Sequence, residues 1–339
     1  MAPLLSETDR WKAWDSFLEA TPDTGFMQSS WWADFRGLAG YEHFGAVLRS
    51  GREIVGGALV QRFSWSDTGC FYYIPAGPVL PQDEDLASQV FAAVRGEIED
   101  RRQAETQVVS HLRIEPHWSV VPSFVTGFQP RPTLGDPFME PRDTLWIDLR
   151  ATDVDILAQM KPKGRYNVRV AMRHGVTVVE DNSERGLGDF QAIYGDTADR
   201  QDFGAKPADY FESLTGMLSS LGRGTLLFAE YQGVRVAAAL VVGFGQMATY
   251  FFGGSLAAFR HVMAPYLLHF EIMRRSRAQG REWYDLWGIT PANMSPHPFD
   301  GITEFKRKLG GREVRFVPTL DYVFDPAAYD DYLATTKNW

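Results

Sequence analysis

The chain has 339 residues, a net charge of −9 and a hydrophobic content of 45%. These values exclude a disordered chain and a protein that coats nucleic acid over its whole surface. The single cysteine, Cys70, excludes an internal disulfide and a cysteine-based metal cluster. No apolar run reaches the roughly 18 residues of a membrane span, and the first residues lack a signal-peptide core. We therefore expect a cytoplasmic protein with enough residues for two domains.

The first half of the chain carries alternating helix and strand signals. Helices are predicted over 9–19, 30–38 and 84–101, with Ser29 or Ser30 as the N-cap of the second. Strands are predicted over 44–48, 54–61, 70–74 and 108–114. The stretch that follows, up to Arg142, is rich in Pro, Phe and Gly and is expected to be a loop.

The second half repeats this order. Helices are predicted over 163–174, 188–201, 207–221 and 265–278, and strands over 225–231, 234–244, 248–253 and 283–287. The turn between the first two of these strands is placed at Gln232-Gly233. After a polar loop, the pattern predicts a short cationic turn around Lys306. The tail, 314–332, is expected to form a strand and a short helix that pack back onto the first half.

An internal repeat explains this order. Gly51-Arg-Glu-Ile-Val-Gly-Gly-Ala-Leu-Val resembles Gly233-Val-Arg-Val-Ala-Ala-Ala-Leu-Val-Val, about 182 positions later. Each is followed by an aromatic strand, a glycine break and a helix, and a period this long indicates a duplicated domain. We expect an α+β fold of two tandem domains, each a mixed β-sheet flanked by helices. The predicted bounds are 1–145, joined by 317–339, and 146–316.

One helix-forming segment is strongly cationic and contains no acid between its first and last cation. If it is helical, its three arginines share one face, and Val168 and Met172 mark the adjoining buried face. The absence of compensating acids favours a phosphate-binding surface. A solvated basic helix is the alternative. Its cations are Lys161, Lys163, Arg165, Arg169 and Arg173.

The segment Arg260-His-Val-Met-Ala-Pro265 lies between a predicted strand and a predicted helix. GNAT-type acetyltransferases bind the pyrophosphate of acyl-CoA at this place, on backbone N–H groups of a glycine-rich helix start. Here Met263 stands where a glycine is wanted, and Pro265 has no N–H. The matching position in the first half carries three consecutive acids, 83–85, which repel pyrophosphate. The layout is GNAT-like in both halves, but neither half offers a good CoA site.

Catalytic candidates are few. Lys306 is followed by two further cations and a glycine pair, so an anion is expected there. Asp285 and Glu115 lie on or just after apolar strands, where a structural hydrogen bond is the alternative to a catalytic role. Arg36 and Lys206 are isolated cations at element boundaries, which are commonly solvated. The histidines show no metal-ligand spacing, so no metal site is expected.

Six motifs together are similar to the FemABX family, the aminoacyl-tRNA-dependent transferases that build peptidoglycan interpeptide bridges. The similarity covers nearly the whole chain in order, and the family's two GNAT-like domains agree with the internal repeat. Some members carry a helical-hairpin arm, which the short connection from His174 to Asp189 leaves no room for. The motifs are Phe26-Met-Gln-Ser-Ser-Trp-Trp-Ala-Asp-Phe-Arg, Tyr73-Ile-Pro-Ala-Gly-Pro-Val, Arg165-Tyr-Asn-Val-Arg, Ala205-Lys-Pro-Ala-Asp-Tyr-Phe, Tyr284-Asp-Leu-Trp-Gly-Ile and Phe305-Lys-Arg-Lys-Leu-Gly-Gly.

The resemblance implies an acceptor site and a donor site. Arg36 and Lys206 would hold the diphosphate of an acceptor similar to UDP-MurNAc-pentapeptide, with Tyr210 lining that site. Tyr250 and Asp285 are expected among the other substrate-binding residues. Phe252 stands where a related enzyme has tyrosine, so any function of that hydroxyl is absent.

The donor side implied by the resemblance is aminoacyl-tRNA, bound without any other cofactor. Lys306 matches the family lysine beside the aminoacyl ester and the terminal adenosine, and the five cations from Lys161 to Arg173 are the expected tRNA contacts. Glu115 falls where some members have an aspartate that was considered as a base, and we take it as the second catalytic candidate. We expect a monomer, in peripheral contact with the inner membrane face if the acceptor is lipid-linked.

The predicted reaction is aminolysis of an activated ester. An amine of the acceptor peptide attacks the carbonyl that links an amino acid to the 3′ end of tRNA, and holding both groups in attack geometry is the main task of the enzyme. A natural-product peptide as acceptor, or an acyl-CoA donor, are the alternatives within the transferase class. A non-catalytic binding module is the alternative outside it.

Overall fold

A computed structural model describes residues 7–131, 140–201, 203–291, 294, 296–297 and 299–336. The chain divides into two compact units. Unit 1 comprises Met1–Arg142 with Arg315–Trp339, and unit 2 comprises Asp143–Val314. These bounds lie within a few residues of those drawn from the internal repeat.

Helices and strands occur throughout the described chain, with two additional 3-10 segments, Phe26–Gln28 and Ala257–Val262. In chain order the elements of the first part are α1 (Glu7–Ala20), α2 (Ser30–Gly37), β1 (Glu42–Ser50), β2 (Glu53–Ser64), β3 (Gly69–Pro75), α3 (Glu84–Gln103), β4 (Val108–Glu115) and β5 (Gln129–Pro130). They are followed by β6 (Asp143–Asp148), α4 (Asp153–Gln159), α5 (Pro162–Arg173), β7 (Thr177–Glu180), α6 (Glu184–Gln201), α7 (Ala208–Ser220), β8 (Gly224–Tyr231), β9 (Val234–Phe244) and β10 (Met247–Ser255). The last are α8 (Ala264–Ala278), β11 (Trp283–Gly288), α9 (Asp300–Lys308), β12 (Arg312–Arg315), β13 (Leu320–Val323) and α10 (Pro326–Thr336).

The sheet of unit 1 has the order β1-β2-β3-β4-β13-β5. β1, β2 and β3 are antiparallel, whereas β3 and β4 are parallel and are joined by the crossover helix α3. β13 then pairs antiparallel with β4, so the C-terminal segment completes the sheet of the first half. The expectation that the tail packs back onto this half is confirmed.

The sheet of unit 2 has the order β12-β6-β11-β10-β9-β8-β7. β8, β9 and β10 are antiparallel, and β11 lies parallel to β10 after the crossover helix α8. β6 pairs antiparallel with β11, as β13 does with β4. Both units share this arrangement of strands, although β6 precedes the other strands of its unit in sequence and β13 follows them. The α+β fold with two GNAT-like domains is confirmed.

Both faces of the unit 2 sheet are covered by helices, as the continuous apolar pattern of β9 requires. Leu227, Ala237 and Ala239 belong to the core shared with α5 and α8. Leu226 and Leu240 lie on the opposite face, beneath α6 and α7. The central strands are therefore buried on both sides.

Local signals account for several element ends. The Ser29 hydroxyl accepts from the Trp32 N–H at 3.4 Å and caps α2, as one of the two predicted serines. Gln232 and Gly233, with φ of 51° and 78°, both adopt the left-handed conformation that a two-residue hairpin turn requires. Between α5 and α6 the chain forms only β7 and short loops, so the described residues 174–189 contain no helical arm.

Two local predictions were wrong. The chain around Lys306 is not a turn but the helix α9, and part of the loop before it (292, 293, 295 and 298) lies outside the described residues. Met172 does not lie on a buried face, since 49% of it is exposed. The pattern also failed to indicate β6, α4, β7 and β12, because strands and helices this short carry too few periods to be recognised.

Candidate functional site

The parallel strands β10 and β11 of unit 2 separate partway along their length. Their ladder ends at Thr249 and Asp285, and the register shifts on both strands just beyond that point. The equivalent strands of unit 1 remain paired up to Pro75 and Glu115. An opening between strands leaves backbone groups that need other partners, so it is a natural place for a ligand. Of the two equivalent strand pairs, the one in unit 2 therefore offers the candidate site.

Lys306 lies at the opening. Its side chain points inward from α9, only 6% of the residue is exposed, and Nζ donates to the carbonyl oxygen of Gly288 at 2.6 Å. Gly288 pairs with β6 on one side but lies beyond Asp285, the last residue of β11 that pairs with β10. The ammonium therefore contacts a carbonyl that has no ladder partner on β10. Burial lowers the pKa of Lys306 to about 8, and the negative charge of Asp285 opposes this shift.

Asp285 is the last residue of β11 that pairs with β10. Its carboxylate accepts from the hydroxyl of Thr144 and from the Trp287 N–H, the latter at 2.8 Å. Burial raises the pKa of Asp285 to about 6, although these hydrogen bonds and the charge of Lys306 act in the opposite direction. At neutral pH the site therefore holds a carboxylate and an ammonium that stabilise each other's charged forms.

Two aromatic residues and a histidine extend this site. The ring of Tyr250 meets that of His269 edge to face with centroids 4.6 Å apart, and Nδ1 of His269 is 2.8 Å from the Tyr284 hydroxyl. Burial and the charge of Lys306 lower the pKa of His269 to about 3, so the imidazole is neutral at physiological pH. Sequence reasoning missed His269 because it occupies a buried position of α8, where a histidine resembles any other core residue.

Lys206 and Tyr210 lie together at the start of α7. The Lys206 ammonium is exposed and sits 5.6 Å from the Tyr210 ring centroid. Tyr210 in turn contacts Phe252 of β10, with ring centroids 6.0 Å apart. Phe251 packs against both Phe252 and Trp287. A continuous row of aromatic rings therefore runs from Tyr210 to Trp287, which lies close to Asp285 in sequence. The structure thus connects these predicted substrate-binding residues within unit 2.

Arg36 lies in unit 1, where its guanidinium is 4.6 Å from the Tyr41 ring centroid and 5.7 Å from that of Phe63. The cation rests on aromatic faces, a favourable position for a guanidinium. The ring of Phe63 packs against Tyr73, whose hydroxyl donates to Glu115. Arg36 and Glu115 are therefore linked through one aromatic cluster of unit 1.

Glu115 ends β4 and is buried. Besides the Tyr73 hydroxyl it accepts from the Glu140 N–H at 2.9 Å and from the Thr319 hydroxyl at 3.0 Å. Burial and the neighbouring charge of Glu140 raise the pKa of Glu115 to about 8. Three donors converging on one carboxyl group is the pattern of a structural tie between segments, so a catalytic role for Glu115 stays a prediction.

The cationic helix α5 and its N-cap carry exposed side chains at Lys161, Lys163, Arg169 and Arg173. Arg165 differs from the prediction of one shared cationic face. Its guanidinium turns back and donates to the carbonyl oxygens of Ala158 and Met160, at the end of α4. Arg165 therefore caps the C-terminal end of α4. The side chains of the other four cations are exposed and available to a partner.

The loop before α8 lacks the backbone donors of a pyrophosphate site. Met263, the N-cap of α8, adopts the left-handed conformation with φ of 55°, which usually favours glycine. A small cavity of about 230 Å³ beside it is lined mainly by apolar residues, among them Phe259, Pro265 and Phe305. A methionine side chain and a proline thus occupy the place where bare N–H groups would bind a pyrophosphate.

The position of α9 depends on a close backbone approach at Gly164 of α5. A Cβ added to Gly164 would overlap the carbonyl oxygen of Lys308 at the end of α9. We expect Gly164→Ala to separate the two helices, to destabilise unit 2 by about 1–3 kcal/mol and to lower activity by misplacing Lys306. Thermal unfolding and turnover would measure both effects. Gly301→Ala is the matched control, because a Cβ added at Gly301 of α9 would meet only open space; an equal loss there would refute the packing argument.

The sequence profile of the FemAB family matches residues 127–219 and 225–337, together more than half of the chain. The chain is 22% identical, over an alignment 396 positions long, to the lipid II:glycine glycyltransferase of Staphylococcus saprophyticus subsp. saprophyticus, covering 94% of this chain and 92% of the relative. It is also 22% identical, over an alignment 399 positions long, to that of Staphylococcus aureus strain MRSA252, with 93% and 92% covered.

Solved structures share this fold. The crystal structure of FemX superposes with a TM-score of 0.85 at 18% identity, covering 97% of this chain and 98% of that one. The C-terminal domain of a putative lysylphosphatidylglycerol synthetase from Agrobacterium fabrum gives a TM-score of 0.55 at 16% identity over 97% and 95% of the two chains. In the described part of the chain, no helix combines the length and the apolar character that crossing a membrane requires. The chain belongs to the FemAB family and is an aminoacyltransferase.

Proposed function

We propose that this enzyme transfers an amino acid from aminoacyl-tRNA to an amine of a peptidoglycan precursor peptide. The observation that carries the proposal is the buried Lys306 ammonium at the opening between β10 and β11. The name of the staphylococcal relatives, lipid II:glycine glycyltransferase, supports a peptidoglycan precursor as the acceptor. Either UDP-MurNAc-pentapeptide or lipid II satisfies this chemistry, the second requiring contact with the inner membrane face.

The reaction forms an amide and breaks an ester. The acceptor nitrogen attacks the aminoacyl carbonyl, the bond from the carbonyl carbon to the ribose oxygen breaks, and the ribose hydroxyl leaves with a proton. Lys306 uses one of its three N–H donors on Gly288, which leaves two for the oxyanion that develops on the carbonyl oxygen. Asp285 keeps Lys306 charged, and Lys206 with Tyr210 holds the acceptor.

The proton that the attacking ammonium loses needs an acceptor. Asp285, with a pKa of about 6, is ionised at neutral pH, whereas Glu115, with a pKa of about 8, holds its proton there. A base that acts at neutral pH must be unprotonated before it accepts. We therefore prefer Asp285 to Glu115 as the carboxylate that accepts the proton of the attacking amine.

The coupling of Asp285 to Lys306 gives a pH prediction. Turnover should rise as Asp285 ionises near pH 6 and fall as Lys306 loses its proton near pH 8. Asp285→Asn removes the anion that raises the pKa of Lys306, so the alkaline limb should move to lower pH and the limb near pH 6 should disappear. Turnover measured across roughly pH 5 to pH 9, which brackets both pKa values, tests this. An alkaline limb that stays in place in the variant would show that the two groups are not coupled.

The donor and acceptor are tested together. Purified enzyme is incubated with a mixed pool of charged tRNAs and with UDP-MurNAc-pentapeptide or lipid II, and the product mass identifies the amino acid transferred. Acetyl-CoA without tRNA is the parallel reaction. Transfer from CoA alone would overturn the proposal. The side chain of Met263 and the missing N–H of Pro265 at the start of α8 argue against CoA as the donor. Transfer from tRNA to an unrelated peptide only would retain the donor and reject the acceptor.

A further inference from the structure

One aromatic side chain stands among the cations of α5. Tyr166 is 51% exposed, and the ammonium of Lys163 and the guanidinium of Arg173 lie 5.0 and 5.8 Å from its ring centroid. Arg169, three residues after Tyr166, is exposed on the same helix. We call Lys163, Tyr166, Arg169 and Arg173 the α5 surface. A helix face that is only solvated does not need an exposed tyrosine ring, so the ring of Tyr166 suggests a ligand for this face.

The α5 surface starts close to the helix that carries Lys306. The first turn of α5 docks on the end of α9, where the Lys161 N–H donates to the Lys308 carbonyl at 3.2 Å and Gly164 permits close approach. From that contact α5 extends over 12 residues, about 18 Å. A chain whose end reacts beside Lys306 can therefore continue along the α5 surface within a few nucleotides.

Cations and an aromatic ring together distinguish single-stranded from double-stranded RNA. A duplex presents phosphates to a protein but hides the faces of its bases, so cations alone are sufficient to bind it. An aromatic side chain adds affinity where an unstacked base can lie against it. Charged tRNA has unpaired nucleotides immediately before the ester that reacts.

We propose that Tyr166 stacks on one of these unpaired nucleotides, while Lys163, Arg169 and Arg173 contact the flanking phosphates. This inference rests on the proposed function, since it names how the donor is bound. The cations that now lie over the ring have long, exposed side chains, which can exchange the ring for a phosphate when RNA binds. The α5 surface would then position the end of the donor so that the ester reaches Lys306.

The test compares two RNA hairpins with the same acceptor-stem duplex, one with the unpaired 3′ end and one blunt. Tyr166→Ala should weaken binding of the first by about 10-fold and leave binding of the blunt hairpin unchanged, whereas Tyr166→Phe should behave as the wild type. Met172→Ala is the matched control, because Met172 is exposed on the same helix outside the α5 surface. It should change neither affinity. Circular dichroism of each variant verifies folding.

Separate outcomes distinguish this inference from the proposed function. Equal loss on both hairpins, or no loss on either, would overturn stacking by Tyr166. Arg169→Ala removes a phosphate contact beside the unpaired nucleotide and should weaken binding of the hairpin with the unpaired 3′ end, and that result would keep the proposed donor even if Tyr166 fails. Tyr166-dependent binding to vesicles of anionic phospholipid, without an effect on RNA, would overturn the inference in favour of a membrane surface.

Discussion

Lys306→Met is expected to lower turnover by on the order of 10²- to 10³-fold, as loss of an oxyanion donor does. Methionine has nearly the length and volume of lysine, so packing around the buried side chain is preserved. What disappears is the positive charge at the opening between β10 and β11, together with the donor to Gly288. Because the acceptor is held by other residues, its KM should change little.

A matched control lies two residues further along α9. Lys308 pairs with the exposed Glu304 at 2.7 Å, and its side chain points away from the buried site. Lys308→Met should therefore retain turnover within a few-fold. Single-turnover kinetics with charged tRNA separates the chemical step from binding. Wild-type turnover in Lys306→Met, or an equal loss in Lys308→Met, would remove the assignment of Lys306.

The largest effect on stability is expected at the buried ion pair that ties the C-terminal segment to the rest of unit 1. Arg113 of β4 donates to both carboxylate oxygens of Asp321 in β13, at 2.9 and 3.0 Å, and both side chains are fully buried. The hydroxyl of Tyr329 adds a third donor to Asp321 at 2.8 Å, and Tyr332 accepts from Arg113 at 3.1 Å. The pair thus fastens β13 and α10 to the first half.

Asp321→Asn should lower the free energy of unfolding of unit 1 by about 3–5 kcal/mol, because it leaves the Arg113 charge buried without its counter-ion. Urea denaturation at neutral pH measures this. Glu42→Gln is the control: it breaks the exposed pair of Glu42 with Arg101 and should cost less than about 1 kcal/mol. Comparable losses in the two variants would contradict the argument from burial.

The same pair has a defined pH dependence. Arg113 holds the pKa of Asp321 below its ordinary value, despite the opposing effect of burial. A carboxyl group with a lowered pKa stabilises the fold above its unfolded pKa and loses that contribution as the pH falls through the folded one. Part of the acid sensitivity of the wild type should therefore be absent in Asp321→Asn.

Much of the fold followed from local patterns. The bounds of most helices and strands, the hairpin turn at Gln232-Gly233 and the duplication all depend on residues near one another in sequence. Apolar periodicity, capping side chains and turn conformations are short-range properties, and the sequence displays them directly. The motifs from Phe26 to Gly311 further predicted the FemABX family, which the profile match and the staphylococcal relatives confirm.

The chemical state of the site was decided by tertiary structure. The sequence predicted an anion near Lys306. Burial gives this lysine its lowered pKa, and the hydrogen bond to the carbonyl of Gly288 fixes the direction of its ammonium. Thr144 meets Asp285 only because residues more than a hundred positions apart share one sheet, and the separation of β10 from β11 likewise could not be predicted. The amino acids by themselves determined a duplicated fold with cations at certain positions. Desolvation and long-range contacts, which exist only in the folded chain, decided which of these cations is buried and coupled to the charge of Asp285.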